Sequence, residues 1–266
     1  MTGSPSGEGR ALPAHLTDSA GTPWAGRHFE QAASSDDDGS APEELVRALD
    51  AFASADAGPE AVVDALRVSR LLIPLVARLG EEAEGVGGLR ADKSQELSIV
   101  TVAGPDGRTV LPVFSDVDAM RRWDPLARPV PVDGRRAALA AVAEETELMV
   151  LDPASPHEFA VRRPALWAIA GGAPWRPSPG DPEVLAALGA SAAAEDAVVS
   201  LAVRPGDARQ RLSGPELVIV LELRPGLDRS ALGDLVARLG KRWAADEVVA
   251  ARVDSMTLQL ASASAG

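Results

Sequence analysis

The chain has 266 residues and carries 26 basic against 39 acidic side chains, a net charge of −13. That length suits one large or two modest domains, and the acidic balance argues against nucleic acid or an anionic membrane as a partner. The chain has no cysteine, which excludes disulfides, thiolate catalysis and cysteine-based zinc or iron–sulfur sites. Aromatic residues make up only 3%, so Ala, Val and Leu must fill the core.

Residues 1–41 are rich in Gly, Ser, Pro, Ala and Asp, and read as a flexible acidic arm that buries too little to offset its ordering entropy. Trp24 and Phe29 stand out in it. Either the arm is a tail, or it docks Trp24 on its own domain or on a partner. The opening stretch lacks the basic start and apolar run of a signal peptide. No segment approaches the ~20 apolar residues that cross a bilayer. The expected address is the cytoplasm.

Folded structure is expected from Pro42. Leu45, Leu49 and Phe52 recur at i, i+4, i+7 on a helix over Glu43–Ala53, and Pro59 opens a second helix with Val62, Val63 and Leu66 inward. Leu71–Ala77 reads as a buried strand that Pro74 places at an edge or a bulge. After the acidic glycine-rich loop Glu81–Gly88, strands over Leu97–Val102 and Thr109–Phe114 flank a Gly-Pro-Asp-Gly turn. Ser115 and Asp118 read as the cap of a short helix holding Val117, Met120 and Trp123. Arg128–Val132 is extended by its prolines. A helix over Arg135–Glu144, a strand over Leu148–Leu151, a turn from Asp152, a strand over Glu158–Val161 and a helix from Pro164 to the Gly171-Gly172 stop follow.

Gly172–Asp181 is the best linker in the chain. Beyond it, Asp181 caps a helix expected to end at Gly189. Ala197–Arg204 and Glu216–Arg224 are strands, Asp228 caps an amphipathic helix carrying Leu232, Leu235, Val236 and Leu239, and Val248–Val253 is expected to return as a strand continued by Met256, Leu258 and Leu260. The second strand, helix and return make a βαβ candidate.

No stretch carries the chemistry of an enzyme motif. Gly87–Ser94 (GGLRADKS) misses a phosphate loop by placing Asp92 where glycine is needed, and it precedes a strand rather than a helix. His157 is the one histidine outside the arm and sits in a turn. The carboxylate pairs are explained by helix ends and solvated loops, and no metal cluster is suggested. Arg162-Arg163, where a strand meets a helix start, is the most suggestive polar pair. It can hold an anion, or it can pair with nearby acids such as Glu158 or Asp152. Trp167 is expected in the core, whereas Trp123 and Trp175, each beside Pro and Arg, are expected half-exposed with the composition of interface hot spots.

Two stretches, VLPVFSDVDAMRRWDPLARPVPVDG (Val110–Gly134) and LMVLDPASPHEFAVRRPALWAIAGGAPWRP (Leu148–Pro177), resemble the SseB family (enhanced serine sensitivity type) through their LPVF, Trp-Asp-Pro, RPVPV and LDP runs. The resemblance spans roughly residues 20–175 and implies no settled activity. Together these readings give an α+β protein, a mixed sheet with flanking helices followed by a smaller α/β domain. The expected parts are an arm over 1–41, an SseB-like domain over 42–175 and a C-terminal domain over 181–262. The expected function is a non-catalytic cytoplasmic interaction or regulatory module. The alternative is a domain binding a small anionic ligand at Arg162 and Arg163. Candidate binding residues are Trp24, Trp123, Arg162, Arg163 and Trp175. No catalytic residue, metal or cofactor is expected, nor nucleic acid or membrane. The expected partner is a protein, and a homodimer stays open.

Overall fold

The computed structural model describes residues 37–79 and 95–262. The arm up to Asp36, with Trp24 and Phe29, lies outside the described residues, as do Glu81–Gly88 and Gly87–Ser94. In chain order the first half holds α1 (Glu43–Ala53), α2 (Pro59–Val68), β1 (Arg70–Leu79), β2 (Gln95–Ile99), β3 (Val102–Ala103), β4 (Thr109–Val113) and α3 (Val117–Trp123). It continues with β5 (Arg128–Asp133), α4 (Gly134–Ala143), β6 (Met149–Leu151), β7 (Phe159–Val161) and α5 (Arg163–Gly171).

α1 and α2 form where the apolar spacing puts them. Leu45, Leu49, Val62, Val63 and Leu66 are buried, each burial being worth about 1.5–3 kcal/mol. β1 is the middle strand of a three-stranded sheet, β2-β1-β5, so Pro74 marks neither an edge strand nor a bulge. Pairing with β2 starts only at Leu75, so Pro74 has a ladder on one side, and there it faces Pro129. Neither proline has an N–H, and their pair therefore occupies a non-hydrogen-bonded position. The single strand expected over Leu97–Val102 is also two: β2 serves β1, while β3 pairs with β4 in a second sheet.

That second sheet runs β3-β4-β6-β7, with β4 and β6 parallel. Both its faces are covered. Leu111, Val113, Met149, Leu151, Phe159 and Val161 join the main core with α1, α2, α4 and α5. Val110, Val150 and Ala160 turn the other way and pack with Leu148 and Leu212. The apolar continuity of β6 and β7 reflects this two-sided burial.

α3 is capped by Asp116, whose Oδ1 accepts from Ala119 N at 2.6 Å, and not by Ser115. Ser115 is spent on Asp152: its N–H and Oγ donate to the two carboxylate oxygens at 2.8 and 2.7 Å. Asp152 sits at φ 45°. Burial pushes its carboxyl up, against the two Ser115 bonds. Ser115→Ala strips one of those bonds from a buried carboxyl, and a loss of about 1.5 kcal/mol is expected in urea unfolding; an unchanged midpoint would show that the bond carries no weight.

The second half comprises a 3-10 turn at Ser178–Gly180, α6 (Pro182–Ala193), β8 (Val198–Pro205), β9 (Leu217–Leu223), α7 (Arg229–Ala245), α8 (Glu247–Arg252) and β10 (Met256–Ser262). β9 lies between antiparallel β8 and parallel β10, so the expected βαβ unit is present. Its return differs. Val248–Val253 is not a strand but mostly α8, because Asp246 Oδ1 accepts from both Val248 N and Val249 N and starts a helical turn that β-branched residues alone would not. α6 likewise runs past Gly189. Its core and that of β9, α7 and α8 are one cluster around Leu217, Ile219, Leu221, Leu239 and Trp243.

The described residues from Gly39 to Ser262 belong to one compact unit, and the segment 172–181 lies in sequence between its two main cores. The 206–214 loop packs on the outward side of the β3-β4-β6-β7 sheet, apart from both main cores. Leu212, at φ 54°, is buried against β4, β6 and β7, and Gln210, at φ 50°, accepts from Ala160 N at 2.6 Å through its carbonyl.

Candidate protein-interaction site

Arg162 stands between β7 and α5, and the fold turns it inward. Only 3% exposed, its Nη2 donates to Asp207 at 2.7 Å and to Gly214 O at 2.9 Å, and its Nη1 donates to Asp254 at 3.0 Å. Arg108 closes on the same Asp254 with two bonds of 2.9 Å. Burial works against ionised Asp207 and Asp254. The hydroxyl, backbone and arginine bonds around Asp207, and Arg108 with Arg162 around Asp254, outweigh it and hold both carboxyls below their usual range. Glu216 lies beside them, accepting from Ser178 Oγ and Asp254 N, and there burial prevails and pushes its carboxyl up. The partners of Arg162 are therefore not Glu158 or Asp152, but acids 45 and 92 residues further on.

Arg163 goes elsewhere. Its Nη2 donates to Ala250 O and Val253 O at the end of α8, and its guanidinium lies 5.6 Å from the Trp167 ring centroid. The two adjacent arginines do not converge on a shared anion seat. One is locked in a buried ionic cluster, and the other ties α5 to α8. This corrects the anionic-ligand expectation for the pair.

The tryptophans divide as their surroundings dictate. Trp123 is half-buried, tilted on Phe114 with ring centroids 5.3 Å apart, and belongs to a small core under α3. Trp175 is half-buried against the main core, and its Nε1 has no hydrogen-bond partner among the described residues. Trp167, expected in the core, is 52% exposed. On α5 the core row is taken by Ala165, Leu166 and Ile169, which leaves Trp167 on the outer face under Arg163.

Trp175 lines a groove of about 470 Å³ between α5, the segment 172–182 and α8, together with Pro164, Ala168, Pro174, Arg176 and Arg252. Two arginines from other helices fix its wall. Arg67 Nη2 donates to Ala173 O at 2.7 Å and Arg135 Nε to Ala170 O at 2.8 Å, satisfying one carbonyl in the last turn of α5 and one just past its cap. Arg252 is held by Asp181 and Glu183 at 2.9 and 2.8 Å. Pro164 and Ala168 face the groove, and Arg163 with Trp167 forms the adjoining i, i+4 row of the same helix. The groove thus combines a half-buried indole and an exposed Arg176 on a pinned backbone, with the exposed Trp167 and its stacked guanidinium on the neighbouring row of α5.

Residues 45–168 match the model of the SseB protein N-terminal domain. This match supports the resemblance to the SseB family. Comparison with curated proteins and with solved structures found no match. Within the matched residues the LPVF run is β4 with its exit to α3, RPVPV is β5, and LDP ends β6 at the Ser115–Asp152 pair. The match ends inside α5, so Trp175, Arg176 and Arg252 lie beyond it. Trp167 and Arg252 were not among the sequence candidates. The cue for Trp167 was its i+4 spacing from Arg163; Arg252 had none. Among the described residues no group of His, Asp or Glu is arranged to hold a metal, and no helix is long and apolar enough to cross a membrane.

Proposed function

We propose that the protein is a non-catalytic cytoplasmic interaction or regulatory module that binds a partner protein at the Trp175 groove, with Trp167 and Arg163 on its rim. The observation that carries this reading is Trp167, an indole 52% exposed with a guanidinium stacked 5.6 Å from its ring centroid. Trp and Arg dominate interface hot spots, because they bring a large apolar surface together with directed donors. The buried acids support it indirectly: Asp152, Asp207, Asp254 and Glu216 are each occupied by bonds that hold the fold together. The backbone behind the groove is fixed by Arg67 and Arg135, so a partner would meet a preformed surface.

Trp167→Ala and Arg176→Ala, tested in pull-downs from lysate against the wild type, are expected to lose a specifically retained protein. A loss of about 2 kcal/mol, or roughly thirtyfold in affinity, suits a hot-spot indole. Both positions are exposed, so melting temperatures should stay within a degree or two of the wild type. A partner retained equally by all three proteins would remove this groove from the function.

A further inference from the structure

We propose that the protein pairs with a second copy of itself through the outer edge of β10 and the adjoining face of α7. β10 is the terminal strand of the order β10-β9-β8, and no strand among the described residues pairs with its outer side. Proteins ordinarily defend such an edge with charge, proline or a bulge. The opposite edge is defended: β8 has a register break between Val198 and Ser200 and ends on Arg204 and Pro205. β10 has none of these. Its sequence MTLQLAS is uncharged, and its register with β9 runs unbroken from Met256 to Ser262.

The α7 side of this edge is equally neutral. Met256 and Leu258 pack partly on the C-terminal core, and Leu260, next in the same alternation, is 43% exposed. A groove of about 370 Å³ separates β10 from α7, lined by Val236, Gly240, Trp243, Ala244, Met256 and Leu258 without a charged side chain. Val236, Gly240 and Ala244 stand at i, i+4, i+8, so the helix presents a low ridge that a second helix can approach closely.

Charge selects the occupant. At a net −13 two copies repel over most of their surface, whereas the β10 edge carries no charge of its own and the charged side chain that reaches Gln259, Arg204 at 3.0 Å, is a cation. A two-fold contact must also be complementary to itself. Antiparallel pairing centred on Gln259 meets that condition, sets Leu258 opposite the partner's Leu260, and joins two three-stranded sheets into one of six. This surface shares no lining residue with the Trp175 groove, so the two proposals stand or fall separately.

The test is sedimentation of the full chain over a concentration series, beside Leu260→Lys and Gly240→Lys. A Cβ at Gly240 meets no atom within 4 Å, and lysine replaces a poor helix former there, so this variant should fold at least as well as the wild type. The wild type should dimerise, and each variant should weaken the dimer by about tenfold or more with an unchanged circular dichroism spectrum. Amide exchange over 256–262 should slow with concentration in the wild type alone. A wild type that sediments as a monomer throughout, or a dimer indifferent to both lysines, overturns the proposal.

Discussion

Arg162→Met is expected to cost about 3–5 kcal/mol of stability at neutral pH, the largest loss from any single polar substitution in this molecule. The change removes the cation that Asp207 and Asp254 share and leaves two carboxylates, each with a side chain about 1% exposed, close to each other and to Glu216. Arg108 still reaches Asp254, but Asp207 keeps only hydroxyl and backbone donors. The pH dependence gives the mechanism a signature. Asp207 and Asp254 titrate in the folded protein below their unfolded values, so their contribution is present above the ordinary carboxylate range and is lost as pH falls through the lower folded values. Without Arg162 those folded values rise. The gap between wild type and variant should therefore narrow as pH drops below about 4. Urea unfolding at neutral and acid pH reads both effects. A cost under about 1 kcal/mol, or a gap that widens on acidification, would show that the cluster is not what holds the two halves together.

Gly134→Ala should cost about 3 kcal/mol for a different reason. Gly134 opens α4 where it crosses the end of α2, and its N–H donates to Ser69 O at 2.9 Å. A Cβ there would stand 1.8 Å from Leu66 O and 2.8 Å from Leu66 C. Both are backbone atoms, so no rotamer relieves the clash, and α2 and α4 must separate. The same substitution at Gly189, within α6 and with no atom within 4 Å of the added carbon, is expected to stabilise by about 0.5–1 kcal/mol. Opposite signs from one chemical change isolate the close approach as the cause; equal signs would refute it.

What the sequence made legible was what its local spacing encodes. α1, α2 and α7 follow from apolar residues recurring on one face and from Pro59 and Asp228 at their starts. The mixed α+β architecture followed from the same patterning. The failures came where a local signal had two solutions or where a distant partner decided the outcome. Val248 and Val249 favour a strand by propensity, but Asp246 two and three residues before them offers a helix cap, and the cap won. Ser115 and Asp116 are both competent caps, and the choice was made by Asp152, 37 residues away. Trp167 was expected in the core from its place on an Ala-rich helix, yet Leu166 and Ile169 already filled that row. The partial exposure of Trp123 and Trp175 followed from neighbouring proline and arginine, but Trp123 packs under α3 and away from the groove. The fate of Arg162 was not legible, since no local pattern announces a carboxylate 92 residues on.

The loop carrying Leu212 bears on what can be cut from this protein. The family match stops at residue 168, but the outward side of β4, β6 and β7 is roofed by a side chain from a segment some forty residues later. A fragment trimmed to the match would present Val110, Val150 and Ala160 to water, with the β7 backbone missing its acceptor at Gln210. Such a fragment is expected to self-associate or precipitate rather than behave as a soluble specimen. The stretch that evolution carries as one recognisable piece is shorter than the stretch that closes its own surface, and expression boundaries should follow the second.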